Sequence, residues 1–308
     1  MNDQRVLVTG GAGFIGSNLA NHLAGDNEVV ALDDETLGTP DNLDSEVEFV
    51  DGSVLDEELP ADVDAVFHLA ALSSLTMHEG SRQNLRQGAR VNVEGFINTV
   101  EQAREHGCDT VVYASTSSVY GDRTEPSPES MPIEARTGYE ASKLARERYA
   151  EYFSNYHDMS VAGLRFFSVY QGYEGAEGHK GEYANIVAQF ADDLAHGRPP
   201  KVYGDGSHTR DLTHVSDIVR GIELAADHRL DGVYNLGTGE QYSANDVVAE
   251  LQRVLGTDIE PEYVENPIDE SVFVSDTMAD ATKMHEATGW EAEVGFEEGM
   301  RRVCEPYL

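Results

Sequence analysis

Tyr139 and Lys143 stand four residues apart in Tyr139-Glu140-Ala141-Ser142-Lys143, the spacing that puts two side chains on one face of a helix. A free phenol holds its proton to a pH of about 10, and a cation within reach favours the phenolate, so the pair reads as a tyrosine made ready to take a proton. Composition alone yields such a Tyr-x-x-x-Lys roughly 0.2 times in a chain of this kind, so the surroundings must give it meaning. They do so twice. Thr116 lies in the polar run Ser115-Thr116-Ser117-Ser118, directly after the apolar stretch 110–114. Near the amino end, Val6-Leu7-Val8-Thr9-Gly10-Gly11-Ala12-Gly13-Phe14-Ile15-Gly16 places Gly10, Gly13 and Gly16 at three-residue intervals. The first lets the chain turn sharply, the second lets backbone approach a pyrophosphate, and the third lets a helix pack on its strand. Phe14 and Ile15 open that helix, whose free N–H groups form the positive end on which a phosphate would rest. Coming after a strand, the stretch predicts a dinucleotide site.

The elements that must position these residues alternate. Strands are expected at 5–9, 28–32, 47–50, 65–68, 110–114 and 160–165, and helices at 14–24, around Asn92 to His106, and at 139–157. Such alternation indicates parallel βαβ units and an α/β, Rossmann-type doubly wound sheet, whose ligands gather beyond the carboxyl ends of the strands. Thr116 is at such an end. The second strand ends at Asp33, 17 residues beyond Gly16, near where a carboxylate takes the adenosine ribose 2′-hydroxyl. No Lys or Arg occurs between Arg5 and Arg82, so the expectation is NAD and not NADP. The third strand runs into Asp51-Gly52-Ser53 and the fourth into Leu69-Ala70-Ala71, where small residues let a ring lie close to backbone. The segment 171–182 is glycine-rich without apolar period, which predicts a flexible loop and a boundary. Beyond it, helices are expected at 185–196, 215–226, 244–255 and 296–304, a short strand at 201–204, and a strand at 232–236 that could return to the main sheet. The expected organisation is a Rossmann domain at 1–170, rejoined by 207–240, with a smaller, interleaved α/β substrate-binding part made of 171–206 and 241–308.

The 308 residues are 40% apolar, enough for one large core or two ordinary ones. No apolar run approaches the roughly 18 residues of a membrane span, and Met1 leads almost directly into the first strand, so the expectation is a cytoplasmic protein without a signal peptide. Cys108 and Cys304 are its two cysteines, which make neither a disulfide framework nor a metal set. Asp and Glu number 57 against 21 Lys and Arg, a net charge of −36. Nucleic acid and anionic membrane are therefore poor partners. The acids are spread along the whole chain, a pattern that halophilic proteins use, so a salt-loving source is expected.

Five blocks together resemble the extended short-chain dehydrogenase/reductase family, in particular its nucleotide-sugar epimerases and dehydratases. They are Thr-Gly-Gly-Ala-Gly-Phe-Ile-Gly at 9–16, His-Leu-Ala-Ala at 68–71, Ser-Thr-Ser-Ser-Val-Tyr-Gly at 115–121, Tyr-Glu-Ala-Ser-Lys at 139–143, and Gly-Asp-Gly-Ser-His-Thr-Arg-Asp-Leu-Thr-His-Val at 204–215. The resemblance implies that Tyr139 takes a proton from a sugar hydroxyl while hydride leaves the same carbon for NAD, that Thr116 holds the sugar oxygen, and that Lys143 binds nicotinamide ribose and lowers the Tyr139 pKa. It implies that Asp51 holds adenine and that Asn92 and the small residues after the fourth strand adjoin the cofactor. Asn185 and Arg210 would hold the diphosphate of a nucleotide sugar, Tyr203 would lie against its base, and Ser117, Ser118, Ser168 and Val202 would adjoin it. Similar enzymes are homodimers built through the helices carrying Asn92 and Tyr139.

Three features depart from the family. Ser168 stands where Asn is usual, Gln171 replaces a glycine, and no Lys or Arg lies between Arg253 and Lys283, where many relatives carry a second phosphate-binding arginine. The expected reaction is epimerisation at C4 of a UDP-hexose. A dehydratase or decarboxylase on the same scaffold is the alternative, and would carry acids after the threonine, where this chain has Ser117 and Ser118. A non-catalytic NAD-binding regulator would be expected to lack one of Thr116, Tyr139 and Lys143.

Overall fold

The computed structural model describes residues 1–73, 82–266 and 273–308. The amino-terminal half carries β1 (Arg5–Thr9), β2 (Glu28–Asp33), β3 (Glu48–Asp51), β4 (Ala65–His68), β5 (Thr110–Ala114) and β6 (Ser160–Phe166). After them come β7 (Val169–Tyr170), β8 (Lys201–Tyr203), β9 (Thr209–Arg210), β10 (Thr213–His214), β11 (Gly232–Leu236), β12 (Tyr242–Ser243) and β13 (Glu262–Val264). Seven of them form one parallel sheet in the order β11-β6-β5-β4-β1-β2-β3. The order reverses between β1 and β4, and the crevice at such a switch point is where open α/β sheets hold their ligands.

Strand alternation sorts the apolar residues. Val6 and Val8 of β1 pack on one face, with the helices Phe14–Leu23 and Val215–Asp227, while Leu7 between them packs on the other with Phe96, Val100 and Phe153. Both faces are covered because helices in the connections between parallel strands pack on each side of the sheet. The second face is closed by Gly138–His157 and by a helix that runs from Arg82–Ala89 through a π turn at Arg90–Glu94 into Gly95–Glu105. A third apolar cluster joins Val202 of β8 to the helices Ile186–Ala195, Ala244–Leu255 and Phe296–Cys304.

Most expected strands and helices are found with ends shifted by a residue or two, the helix through Asn92 begins as early as Arg82, and β11 pairs in register with β6 at the sheet's edge. The short strands β7, β9, β10, β12 and β13 and the helix Thr282–Thr288 lie outside the expectation. So does the character of 171–182. It is held by defined contacts: Asn18 and Gln171 exchange two side-chain hydrogen bonds at 3.1 and 2.9 Å, and Glu177, wholly buried, accepts from the N–H groups of Gln171, Gly172 and Asn185 at 2.7, 3.0 and 2.6 Å. A buried carboxylate with three backbone donors replaces the apolar periodicity as the ordering device. Among the described residues no helix is long and apolar enough to cross a membrane.

Candidate active site and dinucleotide cavity

A cavity of about 340 Å³ lies at the switch point, lined by Gly10, Gly13, Phe14, Ile15 and Gly16, by Asp33, Gly52, Leu69, Ala70 and Ala71, and by Ser115, Tyr139 and Lys143. Its glycines are set by contact distances. Gly10 has φ of 69°, and a Cβ there would lie 2.7 Å from the Ala70 nitrogen. At Gly16 a Cβ would lie 2.0 Å from the Gly10 carbonyl oxygen, so turn and helix could not close. Gly13 caps the helix without a side-chain acceptor, and Phe14, Ile15 and Gly16 follow with N–H groups that no main-chain acceptor takes among the described residues. A Cβ at Gly13 would meet nothing within 4 Å except the Gly10 oxygen, at 3.3 Å. The concavity is open where a diphosphate would sit, and its donors point there. The residues therefore fit a dinucleotide.

Asp33 ends β2 with its carboxylate fixed by two backbone donors, Ala12 at 3.1 Å and Glu35 at 3.0 Å, and its burial pushes the pKa up. Gly52 and the three residues after β4 line the cavity. Asp51 does not: it is exposed at the end of β3, outside the lining. Asn92 also stands behind the wall, not in it. It sits buried in the π turn, its Oδ1 accepting from Leu72 N at 2.8 Å and its Nδ2 donating to Leu72 O at 3.0 Å and to Ser142 Oγ at 3.0 Å. It orients a lining segment and the helix that carries Tyr139.

That helix, Gly138–His157, starts at a capping box: Thr137 Oγ1 accepts from Glu140 N at 3.1 Å while Glu140 Oε2 accepts from Thr137 N at 3.2 Å. Tyr139 is thus placed in a first turn of fixed geometry. Lys143 donates from Nζ to Ala114 O at 3.0 Å, and its ammonium lies 5.6 Å from the Tyr139 ring centroid. Thr116 caps the turn Ser117–Tyr120, accepting from Ser118 N at 3.2 Å, and its side chain is hydrogen-bonded to Tyr139. Thr116, Tyr139 and Lys143 are therefore together, at the carboxyl end of β5.

The electrostatics differ from expectation in one respect. Burial pushes the Tyr139 pKa up, the Thr116 hydrogen bond and the charge of Arg146 pull it down, and Glu140 raises it. Burial, and after it the charge of Arg146, holds the Lys143 pKa well below the lysine range. The cation acting on the phenol is thus Arg146, two helical turns beyond Tyr139. It is fully buried, with Nη2 donating to Ala70 O at 2.7 Å, Nη1 to Ala114 O at 3.5 Å and Nε to Asn92 O. Sequence reasoning missed Arg146. Its i+3 relation to Lys143 was the one signal that could have found it.

Among the described residues, the two carboxylates on the helix of Tyr139 that turn toward this site are engaged. Glu147 binds Arg165 through both oxygens, at 2.9 and 2.7 Å, and accepts from Ser115 Oγ at 2.6 Å. Arg165 also donates to Tyr120 Oη at 2.7 Å, and Tyr120 donates to Asn235 at 2.8 Å. Glu140 is occupied by its cap and by Arg136 at 3.2 Å.

The candidates in the second half lie outside the cavity lining. Asn185 caps its helix, accepting from Val187 N at 3.1 Å and donating to Val169 O at 3.2 Å. Val202 is fully buried in the third cluster, and Tyr203 is 37% exposed. Ser117 and Ser118 belong to the turn after Thr116. Ser168 has φ of 22°, a backbone state that the Asn usual in the resembled family tolerates better. Arg210 lies with its guanidinium 5.4 Å from the Phe273 ring and donates to the carbonyls of Thr209 and Ser275, its pKa pushed down to about 10 by burial. The structure also brings His179, Lys180 and Tyr183 into the cavity lining. The absence of basic residues around Asp33 thus holds along the sequence and not in space.

The model of the family described as NAD dependent epimerase/dehydratase matches residues 6–237. The UDP-glucose 4-epimerase of Mycolicibacterium smegmatis is 33% identical over 98% of this chain and 97% of its own. Among solved structures, UDP-N-acetylglucosamine 4-epimerase of Methanobrevibacter ruminantium superposes with a TM-score of 0.89 at 28% identity, covering 99% of this chain and 98% of that one. UDP-glucose 4-epimerase of Thermus thermophilus, solved in complex with NAD, does so at 0.86 and 31% identity, covering 98% of each. With the glycine cradle, the acid at the end of β2 and the Tyr139-Lys143 pair in one cavity, and Thr116 beside Tyr139, these likenesses place the chain in the NAD-dependent epimerase/dehydratase family of nucleotide-sugar enzymes.

Proposed function

We propose that the protein interconverts C4 epimers of a UDP-hexose, with UDP-glucose and UDP-galactose as the first pair to test. The observation that carries this reading is the state of the carboxylates beside Thr116 and Tyr139. Removing water or carbon dioxide from a sugar calls for an acid or base beyond the tyrosine, and Glu140 and Glu147 are both tied up in structural bonds. The positions after Thr116 hold serines, whose hydroxyls can orient a sugar but do not act as bases near neutral pH.

Bound NAD supplies a reversible hydride acceptor. On this reading Tyr139 takes the C4 hydroxyl proton as the C4 hydrogen departs with its electron pair, and Thr116 holds the same oxygen. Arg146 favours the phenolate, and Lys143 would bind the nicotinamide ribose. Tyr139 then returns the proton when hydride is delivered to the opposite face of the 4-ketone. Asp33 receives the adenosine ribose hydroxyls, Asn185, Tyr203 and Arg210 serve the sugar nucleotide, and residues 171–206 and 241–308 form the substrate-binding part. Similarity to a UDP-N-acetylglucosamine 4-epimerase makes the acetamido sugar the second substrate to test. Tyr149, Tyr152 and Tyr156 are exposed along Gly138–His157 and support a homodimer through that helix.

Proton NMR of UDP-glucose, UDP-galactose, UDP-N-acetylglucosamine and UDP-glucuronic acid, each incubated with the NAD-loaded protein, tests the reading. A mixture of C4 epimers without net NADH is expected. A 4-keto-6-deoxy product, or carbon dioxide from a UDP-uronic acid, would establish the dehydratase or decarboxylase instead.

A further inference from the structure

The chain has four lysines. Lys143 lies in the active site, Lys283 donates to Val233 O at 2.6 Å, and Lys201 is exposed on β8. Lys180 is different. It sits in the strap 171–183, lines the dinucleotide cavity, and carries its ammonium 5.2 Å from the ring centroid of Phe14, the residue that opens the first helix. Among the described residues no carboxylate lies within 4.0 Å of it, although 57 acids are present in the chain. Glu177, three residues earlier, is turned inward on three N–H groups and is wholly buried. The strap is tied to the Rossmann half ahead of the lysine, by Gln171 to Asn18 and by Asn42 Nδ2 to His179 Nδ1 at 3.1 Å. A partly buried ammonium thus stands beside the residue that opens the helix, and among the described residues no carboxylate is paired with it, Glu177 acting on it only from a distance.

We infer that Lys180 binds the diphosphate of the dinucleotide, closing the strap over the side of the cofactor opposite the glycine turn. Two physical requirements meet there. A chain of net charge −36 repels an anionic cofactor at long range, and a cation at the point of contact offsets that field where the helix N-terminus supplies only partial charge. The Phe14 ring fixes the ammonium in place through its quadrupole. Burial lowers the Lys180 pKa, which a bound anion would reverse. The inference rests on the dinucleotide reading of the cavity and not on the identity of the sugar.

Calorimetric titration of the cofactor-free protein with NAD, ADP-ribose and adenosine tests it, using wild type, Lys180→Ala, Lys180→Arg and Lys201→Ala. Loss of one charge-assisted contact corresponds to about a ten- to hundredfold rise in Kd. That rise is expected for Lys180→Ala with NAD and ADP-ribose, which contain the diphosphate, and not with adenosine, which lacks it. Lys180→Arg should stay within a few fold of wild type, and Lys201→Ala, which removes the same charge elsewhere, should be unchanged. Equal loss on adenosine would make the strap merely structural and overturn the inference. So would unchanged NAD affinity in Lys180→Ala, and if turnover alone fell, the lysine would face the sugar. Wild type that failed to bind NAD would instead strike the dinucleotide reading.

Discussion

Tyr139 is raised by burial and lowered by a hydrogen bond and a buried arginine, so its ionisation is a balance that single substitutions can read. A phenylalanine at 139 keeps the ring and removes the proton acceptor. Turnover of Tyr139→Phe is expected to fall about a thousandfold, the order contributed by a positioned base, while calorimetry still finds NAD bound. Arg146→Met removes a charge that favours phenolate. The base must be unprotonated to act, so activity rises with pH through its pKa, and losing the cation moves that acidic limb to higher pH. His68 on β4 and Tyr113 on β5 face Arg146 too, but burial holds the first neutral and the second protonated, so neither contributes a competing limb near neutral pH. A pH–rate profile of Arg146→Met with an unshifted limb would assign the arginine to packing alone.

At the scale of elements, the site is assembled where four connections meet. The glycine turn after β1, the small residues after β4, the serine-threonine turn after β5 and the capped helix Gly138–His157 each bring one part. Gly16→Ala should cost about 3 kcal/mol or prevent folding, because the new methyl overlaps the Gly10 carbonyl and neither turn nor helix can move without lifting off β1. Chemical unfolding checks this, with Gly256→Ala as a comparison in open space at a helix end, where positive φ alone is the strain. The buried Glu147–Arg165 pair holds the β5 turn through Ser115 and Tyr120. Breaking one partner leaves an uncompensated charge, so Glu147→Gln should lower stability by about 3 kcal/mol in the same measurement.

Across the whole molecule, the excess of acid outweighs any single contact. Its basic side chains are widely committed to ion pairs, among them Arg198 with Asp192 and Asp193 and Arg301 with Glu298, which leaves most acids uncompensated. Raising salt from 0.1 to 1 M shortens the Debye length from about 10 to about 3 Å. The unfolding temperature should therefore rise with KCl between 0.1 and 3 M, as expected of a protein from a salt-loving source. A flat profile by scanning calorimetry would show that the acids are far enough apart not to repel.

What the sequence alone determined is what local rules govern. Short continuous apolar runs set the strands, glycine spacing set the phosphate turn, and the four-residue Tyr-Lys interval set their common face, because each depends on neighbours within one or two turns of chain. Tertiary structure decided what depends on distant charge and on which partner each carboxylate finds. Asp51 and Asn92 read as cofactor contacts, yet one is exposed beyond the cavity and the other clamps Leu72, since side-chain direction at the end of an element follows from packing that no local pattern encodes. Arg146 became a charge that acts on the phenol only once Ala70, Asn92 and Ala114 supplied carbonyls from separate elements. The segment 171–182 looked flexible because its order comes from a buried glutamate and contacts to Asn18 and Asn42, more than a hundred residues away in the chain. Lys180 reaches the Phe14 ring for the same reason: attraction and burial act through space, and only the fold decides which residues share it.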